Sequence, residues 1–121
     1  MRSVLIVEDQ PEIRELIRIT LEFDNYQIDE AGTGPEGLEK AAAMKPDLML
    51  LDVMMPGGID GVEVCKRVRA NPALRKTKII MLSAKSQSTD RAAGKSAGAD
   101  EYLTKPFSPL ELMEVIHRVL R

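Results

Sequence analysis

The feature that most constrains this sequence is the alternation of short apolar stretches with longer amphipathic ones. Each short stretch has the length of a strand and is followed by residues whose apolar positions recur at helical spacing, as they do from Ile13 to Leu21. Strand-then-helix units in succession require right-handed crossovers and favour a parallel sheet with helices on both faces. We therefore predict strands at residues 3–7, 26–31, 48–52, 78–82 and 101–104, and helices beginning near Pro11, Glu36, Gly61, Ser88 and Pro109.

The predicted fold class is α/β. We expect a flavodoxin-like, doubly wound, five-stranded parallel sheet in the order 2-1-3-4-5, flanked by five helices. In this order the first and third strands are neighbours, and the direction in which successive strands are added to the sheet reverses between them. Open α/β sheets bind their ligands at the carboxyl edge beside that point, so the residues that end these strands are the first candidates for a site.

The length of 121 residues suits a single domain, so residues 1–121 are predicted to form one folded unit. No apolar run approaches the roughly 20 residues of a membrane span, and the N-terminus lacks a secretory signal, so we expect no membrane contact and a cytoplasmic location. The net charge is −2 and the chain has no Trp, two Tyr and two Phe, which argues against direct nucleic-acid binding. The single Cys65 excludes an internal disulfide and is predicted to be buried.

Acidic residues follow the two strands expected at the centre of the sheet. Glu8 and Asp9 come after the first strand, and Asp52 ends the third. Carboxylates that converge in a partly desolvated cleft repel one another, so they must be protonated or neutralised by a cation. Oxygen ligands favour Mg²⁺, which keeps free coordination positions for phosphate oxygens. The sequence therefore predicts a magnesium site formed by these carboxylates.

The neighbouring strands end in residues suited to phosphoryl chemistry. Ser83 follows the fourth strand and offers a hydroxyl to phosphoryl oxygens. Lys105 follows the fifth strand and offers them a fixed positive charge. Asp52 is the candidate nucleophile, and its attack on phosphorus would yield an acyl phosphate. Taken singly, each of these residues is more often a solvated strand end or a helix cap, and only their shared edge favours a site.

Four segments, each at a strand end, carry a family resemblance that covers the whole chain. This sequence resembles the receiver domains of two-component response regulators, similar to chemotaxis regulators. The segments are Glu8-Asp9, LDVMMP at 51–56, Ser83-Ala84 and GADEYLTKPF at 98–107.

The resemblance implies a signalling phosphoacceptor, which is not an enzyme beyond catalysing its own phosphorylation and slow dephosphorylation. Asp52 would accept phosphate from a histidine kinase or a histidine phosphotransfer protein. Glu8, Asp9, Asp52 and the backbone carbonyl of Met54 would bind Mg²⁺. Ser83 and Lys105 would hold the phosphoryl oxygens.

The resemblance also implies how the signal leaves the domain. Ser83 and Tyr102 would switch together and repack the face made by the fourth helix, the fifth strand and the fifth helix. A downstream effector protein or domain would bind there, and a homodimer could form after phosphorylation. The Lys105–Pro106 peptide bond is expected to be cis, and the first helix, around Arg14, is where such domains meet their kinase. Tyr102 could instead only pack on the sheet.

Two positions depart from the family pattern. Many members have two aspartates where this chain has Glu8-Asp9, so the longer Glu8 could reach the metal through a water molecule. The loop after Asp52 is one residue longer than usual, and we assign the extra residue to the Gly57-Gly58 pair. Met54 and Lys85 flank the expected path of an attacking water without offering an acid or a carboxamide, so we expect slow self-dephosphorylation.

Other functions fit the sequence less well. A phosphatase with an aspartyl-phosphate intermediate would need a second aspartate where Met54 stands. A nucleotide-binding domain would need a glycine-rich turn after the first strand, where Glu8-Asp9 would repel a pyrophosphate. The main alternative is a phosphate-independent, receiver-like scaffold for protein interactions, which the intact residue set makes less attractive.

Overall fold

Five parallel strands form one sheet in the order β2-β1-β3-β4-β5 in the computed structural model, which describes residues 1–55, 58–83 and 95–121. The predicted strand order and fold class are therefore confirmed. The strands are β1 (Arg2–Val7), β2 (Tyr26–Ala31), β3 (Leu48–Asp52), β4 (Lys78–Ser83) and β5 (Glu101–Thr104). The helices are α1 (Pro11–Leu21), α2 (Gly34–Met44), α3 (Gly61–Ala70), a short 3₁₀ turn (Pro72–Leu74) and the C-terminal helix (Pro109–Leu120).

The apolar strand residues alternate between two cores, one on each face of the sheet. Leu5, Met49 and Leu51 pack with Ala41 of α2 and with the α3 residues, whereas Val4, Ile6, Leu48 and Leu50 pack with residues of α1 and the C-terminal helix. All residues of β3 are buried. Alternating side chains that are apolar on both faces are typical of a parallel strand covered by helices. From α3 the core residues are Val64, Cys65 and Val68, and from α1 and the C-terminal helix they are Ile17, Leu21, Leu112 and Ile116.

Side-chain caps fix where three of the helices begin. The hydroxyl of Thr33 accepts a hydrogen bond from the Glu36 N–H, so α2 begins at Gly34, two residues before the predicted start. Asp60 caps α3 by accepting from the Glu63 N–H, so α3 begins at Gly61, where its start was predicted. Ser108 and Glu111 form a reciprocal capping box at the C-terminal helix. Caps satisfy the free N–H groups of the first turn, which fixes the residue at which each of these helices begins.

Several predictions concern residues outside the described part of the chain. The helix predicted from Ser88 to Ala97 is described only at residues 95–97, which are helical, and Lys85 and Gly57 are not described.

Among the described residues, the Lys105–Pro106 bond is cis, as expected. Within the described ranges, no helix combines the length and the apolar character that a bilayer crossing requires.

Candidate functional site

The ends of β1 and β3 bring the acidic residues into one buried cluster. Glu8 follows β1, and its N–H donates to the Ala31 carbonyl at 3.0 Å, which extends the pairing with β2 by one residue. Asp52 ends β3, and the next N–H, of Val53, donates to the Leu82 carbonyl at 2.8 Å. Glu8 is fully buried and Asp52 is 4 % exposed. One carboxylate oxygen each from Glu8, Asp9 and Asp52 lies within 4.8 Å of the others, so the predicted acidic residues do converge.

Lys105 reaches into this cluster from the end of β5. Its ammonium nitrogen lies 2.7 Å from Glu8 Oε1 and 3.3 Å from Asp52 Oδ1. The backbone positions it as well, because the Lys105 N–H donates to the carbonyl of Ser83 at 2.6 Å. One ammonium group cannot balance three carboxylates, so the cluster keeps a surplus of negative charge within a few ångströms.

The negative surplus acts on Asp52 in particular. The pKa of Asp52 is raised to about 7, mainly by burial and next by the charge of Glu8, while Lys105 opposes the rise. Hydrogen bonding with Asp9 and Glu8 contributes to the same rise. A carboxyl group that shares a site with other carboxylates keeps its proton to a higher pH. At neutral pH the positive charge in the cluster is therefore too small to balance its carboxylates.

The donor set fits a magnesium ion. Glu8 Oε1 is one of two buried side-chain oxygens in the described ranges that accept no hydrogen bond, since its contact with Lys105 has the distance of an ion pair but not hydrogen-bond geometry. Glu8 Oε2 accepts from the Gln10 N–H at 3.1 Å, which fixes the side chain. Hard divalent cations prefer such carboxylate oxygens. The residues could thus hold Mg²⁺ through Glu8, Asp9 and Asp52.

The other predicted site residues take different positions around this cluster. The Met54 N–H lies 3.4 Å from Asp52 Oδ1, and the Met54 side chain is exposed. Ser83 ends β4, 2 % exposed, next to Asp52 in the sheet through the pairing of Asp52 with Leu82. Tyr102 lies farther back on β5, half-buried, where it lines an open cavity of about 400 Å³ with Lys95 and Glu101.

Two residues that support the site were not recognised from the sequence. A Cβ atom on Gly61 would lie 2.0 Å from the Asp52 carbonyl oxygen, so only glycine allows the start of α3 to pass this close to β3. Arg14, placed on the exposed face of the first helix, is 24 % exposed and donates to the Glu8 carbonyl at 2.8 Å. The sequence does place Gly61 in the glycine-containing loop that follows Asp52, which is a signal for a close approach of the backbone. The contact of Arg14 has no such signal, because it depends on the tertiary structure.

Comparison with known proteins identifies the family. The sequence model of one protein family, the response regulator receiver domain, matches residues 4–117 of this chain. The chain is 47 % identical over 119 residues to the transcriptional regulatory protein ResD of Bacillus subtilis, covering 98 % of this chain and 48 % of ResD. It spans about half the length of the curated relatives it matches.

Solved structures give the same result. The chemotaxis protein CheY4 of Vibrio cholerae superimposes with a TM-score of 0.93 at 36 % identity, over 99 % of each chain. The BeF3-activated DrrB receiver domain superimposes with a TM-score of 0.88 at 29 % identity, over 99 % of this chain and 97 % of that one. With the family match over nearly its whole length, this chain belongs to the response regulator receiver domains.

Proposed function

We propose that residues 1–121 form one receiver domain that accepts a phosphoryl group on Asp52 from a histidine kinase or a histidine phosphotransfer protein. The observation that carries this proposal is the convergence of Glu8, Asp9 and Asp52 within 4.8 Å, with Lys105 Nζ at 3.3 Å from Asp52. These residues come from the ends of β1, β3 and β5, far apart along the chain. A nucleophile, a cation site and a fixed positive charge are the parts that phosphoryl transfer requires.

In this proposal Glu8, Asp9, Asp52 and the backbone carbonyl of Met54 hold Mg²⁺. When bound, the ion neutralises phosphoryl oxygens and the excess charge of the acidic cluster. The buried Glu8 Oε1, which accepts no hydrogen bond, supports this assignment. Neutralising the cluster also favours the ionised form of Asp52, whose pKa burial and Glu8 raise to about 7.

The transfer itself is an exchange of one bond to phosphorus. A carboxylate oxygen of Asp52 attacks the phosphorus of a phosphohistidine, the P–N bond breaks, and its electron pair remains on the imidazole. The product is an acyl phosphate with about 1.5 to 2 negative charges. Lys105 exchanges its contact with Asp52 for a phosphoryl oxygen, and the Ser83 hydroxyl binds another. The two groups hold the new charge in place.

The output in this proposal is a two-state shift that involves Ser83 and Tyr102. Movement of Ser83 toward the phosphoryl group gives Tyr102 room to turn inward, which changes the face that β5 and the C-terminal helix present to an effector. The half-buried position of Tyr102 beside an open cavity of about 400 Å³ supports this role. The two partners are thus a phosphodonor on one side and an effector on the other.

An apolar cavity beside the site is the proposed docking surface of the phosphodonor. It has a volume of about 420 Å³ and extends between α1 and the loop before the C-terminal helix. Lys105 is part of its wall, so a protein bound there reaches the acidic cluster. The lining residues are Gln10, Ile13, Leu16, Lys105, Pro106 and Phe107.

The test uses acetyl phosphate as the donor and mass spectrometry as the readout. In the presence of Mg²⁺ the wild-type chain should gain the mass of one phosphoryl group, and Asp52→Ala should gain none. Asp47→Asn is the matched control, because Asp47 precedes β3 at the opposite edge of the sheet and, among the described residues, its carboxylate accepts hydrogen bonds only from Ser3. Labelling of Asp52→Ala to the same extent as the wild type would reject the proposal.

A further inference from the structure

Arg14 makes a forked contact between α1 and the ends of two strands. One terminal nitrogen donates to the backbone carbonyl of Glu8 at 2.8 Å, and Nε donates to Glu30 Oε1 at 3.2 Å. Both side chains of the ion pair are 24 % exposed. The planar guanidinium group can hold two acceptors in a fixed relation, which an ammonium group cannot do. Arg14 is therefore an internal connection, although it lies on a surface helix.

The carbonyl that Arg14 holds belongs to the peptide unit between Glu8 and Asp9. A peptide unit is planar, so fixing the direction of its C=O also fixes the direction of the Asp9 N–H and the positions of both Cα atoms. The other groups of Glu8 are held by the Ala31 carbonyl and by the Gln10 N–H. The contact with Arg14 completes this set, and it sets the angle at which both carboxylates enter the cluster.

The neighbourhood of Arg14 provides space and support for this contact. A Cβ atom on Gly32 would lie 3.3 Å from the same terminal nitrogen, so glycine leaves room for the guanidinium group. Arg18, one turn later, donates to Glu30 Oε2 at 2.7 Å, and within the described part of the chain its side chain forms an ion pair with Glu30 alone. The two arginines thus share Glu30, and Arg14 adds the bond to Glu8.

We propose that Arg14 is a positioning residue for the Mg²⁺ site: it holds the peptide unit that joins Glu8 to Asp9 at the angle the metal requires. The inference rests on the proposed function. It concerns the geometry of the ligands, because a positive side chain close to a cation site would by charge alone weaken metal binding.

Loss of the positioning contact should weaken Mg²⁺ binding, whereas loss of a positive charge should strengthen it, so a variant without Arg14 distinguishes the two effects. Isothermal titration calorimetry would measure the Mg²⁺ dissociation constant of the wild-type chain, Arg14→Met and the control Arg18→Met. Loss of a residue that orients metal ligands costs about tenfold or more in metal affinity, so Arg14→Met should bind Mg²⁺ about tenfold more weakly. Arg18→Met also loses one positive charge and one contact with Glu30, and its affinity should be unchanged or slightly higher.

A second readout needs no metal. The amide resonance of Asp9 in a ¹⁵N–¹H spectrum of the metal-free chain should move in Arg14→Met and stay in place in Arg18→Met. Arg14→Lys gives an intermediate test if the methionine variant does not fold, because an ammonium group reaches only one of the two acceptors. Its affinity should lie between those of the wild type and a complete loss of the contact.

Three results would overturn the inference. Tighter or unchanged Mg²⁺ binding in both Arg14 variants would show that charge, not position, is what Arg14 contributes. Equal weakening in Arg18→Met would assign the effect to Glu30. A wild-type chain that binds no Mg²⁺ would reject the proposed function together with this inference, whereas normal wild-type binding with unaffected variants would reject the inference alone.

Discussion

The ammonium nitrogen of Lys105 lies closer to Glu8 Oε1, at 2.7 Å, than to Asp52 Oδ1, at 3.3 Å. Glu8 is fully buried, and its carboxylate is one of the three carboxylates proposed as metal ligands. Lys105 and a metal ion bound at the proposed site would therefore compete for the Glu8 carboxylate. Binding of the ion would release Lys105 from Glu8 and leave it available to a phosphoryl group on Asp52.

This competition predicts that Lys105→Met binds Mg²⁺ more tightly than the wild type. Removing a positive charge a few ångströms from the cation relieves repulsion of roughly 1 kcal/mol or more after screening, which corresponds to about fivefold or more in affinity. Calorimetric titration with Mg²⁺ measures it. Lys66→Met, which changes an exposed lysine on α3, serves as the control and should bind like the wild type. Weaker binding in Lys105→Met would contradict the competition.

The raised pKa of Asp52 predicts how stability depends on pH in metal-free solution. The pKa of Asp52 is raised from 3.8 to about 7, first by burial and then by Glu8. The folded state consequently holds a proton that the unfolded state has released, so the free energy of unfolding contributed by this group falls as the pH rises from about 4 to 7. At pH values above the pKa of Asp52 in the folded state, ionised Asp52 lowers the free energy of unfolding by its full amount.

Asp52→Asn removes that cost. Urea unfolding in EDTA should show the variant gaining on the wild type as the pH rises from 5 to 8, by about 2 kcal/mol or more at pH 8. Saturating Mg²⁺ should reduce or reverse the difference, because only the wild type keeps all three carboxylates. A difference that stays constant between pH 5 and 8 would count against a raised pKa.

The strand order and the meeting of Glu8, Asp9, Asp52 and Lys105 could be predicted from the sequence because both follow from local patterns. Apolar runs identify the strands, crossover handedness limits their order, and the chemistry lies where each run stops. Contacts that bridge two elements leave no such pattern. Helical periodicity places Arg14 on the polar face of α1, and nothing in its spacing reveals that its side chain folds back to the Glu8 carbonyl.

Gly61 illustrates the same limit with a measurable cost. A Cβ atom at this position would overlap the Asp52 carbonyl oxygen at 2.0 Å, and backbone atoms on both sides leave little room to adjust. Gly61→Ala should therefore lose about 3 kcal/mol in the free energy of unfolding, at the upper end of overpacking costs.

The contrasting variant is Gly58→Ala, where φ is +98° but no atom lies within 4 Å of the added Cβ. It should lose only about 1 kcal/mol, the cost of a left-handed backbone for a residue with a side chain. Urea unfolding of both variants separates the two causes. Equal losses would mean that close approach to Asp52 is not what selects glycine at position 61.

The docking surface between α1 and the loop before the C-terminal helix predicts a defect that depends on the phosphodonor. Leu16 lines this surface and is 38 % exposed, so Leu16→Ser removes apolar contact area without emptying a core. Transfer from a sensor kinase that phosphorylates the wild-type chain should fall about tenfold in kcat/KM, as for a moderate interface contact. Labelling by acetyl phosphate should not change, because a small donor needs no docking surface.

Phe23→Ser is the matched control for Leu16→Ser, since Phe23 is 79 % exposed and follows the other end of α1. Arg14→Glu is unsuitable for this purpose, because it would also break the contact with the Glu8 carbonyl. Equal slowing of both donors by Leu16→Ser would place its effect in the acidic cluster instead of the docking surface.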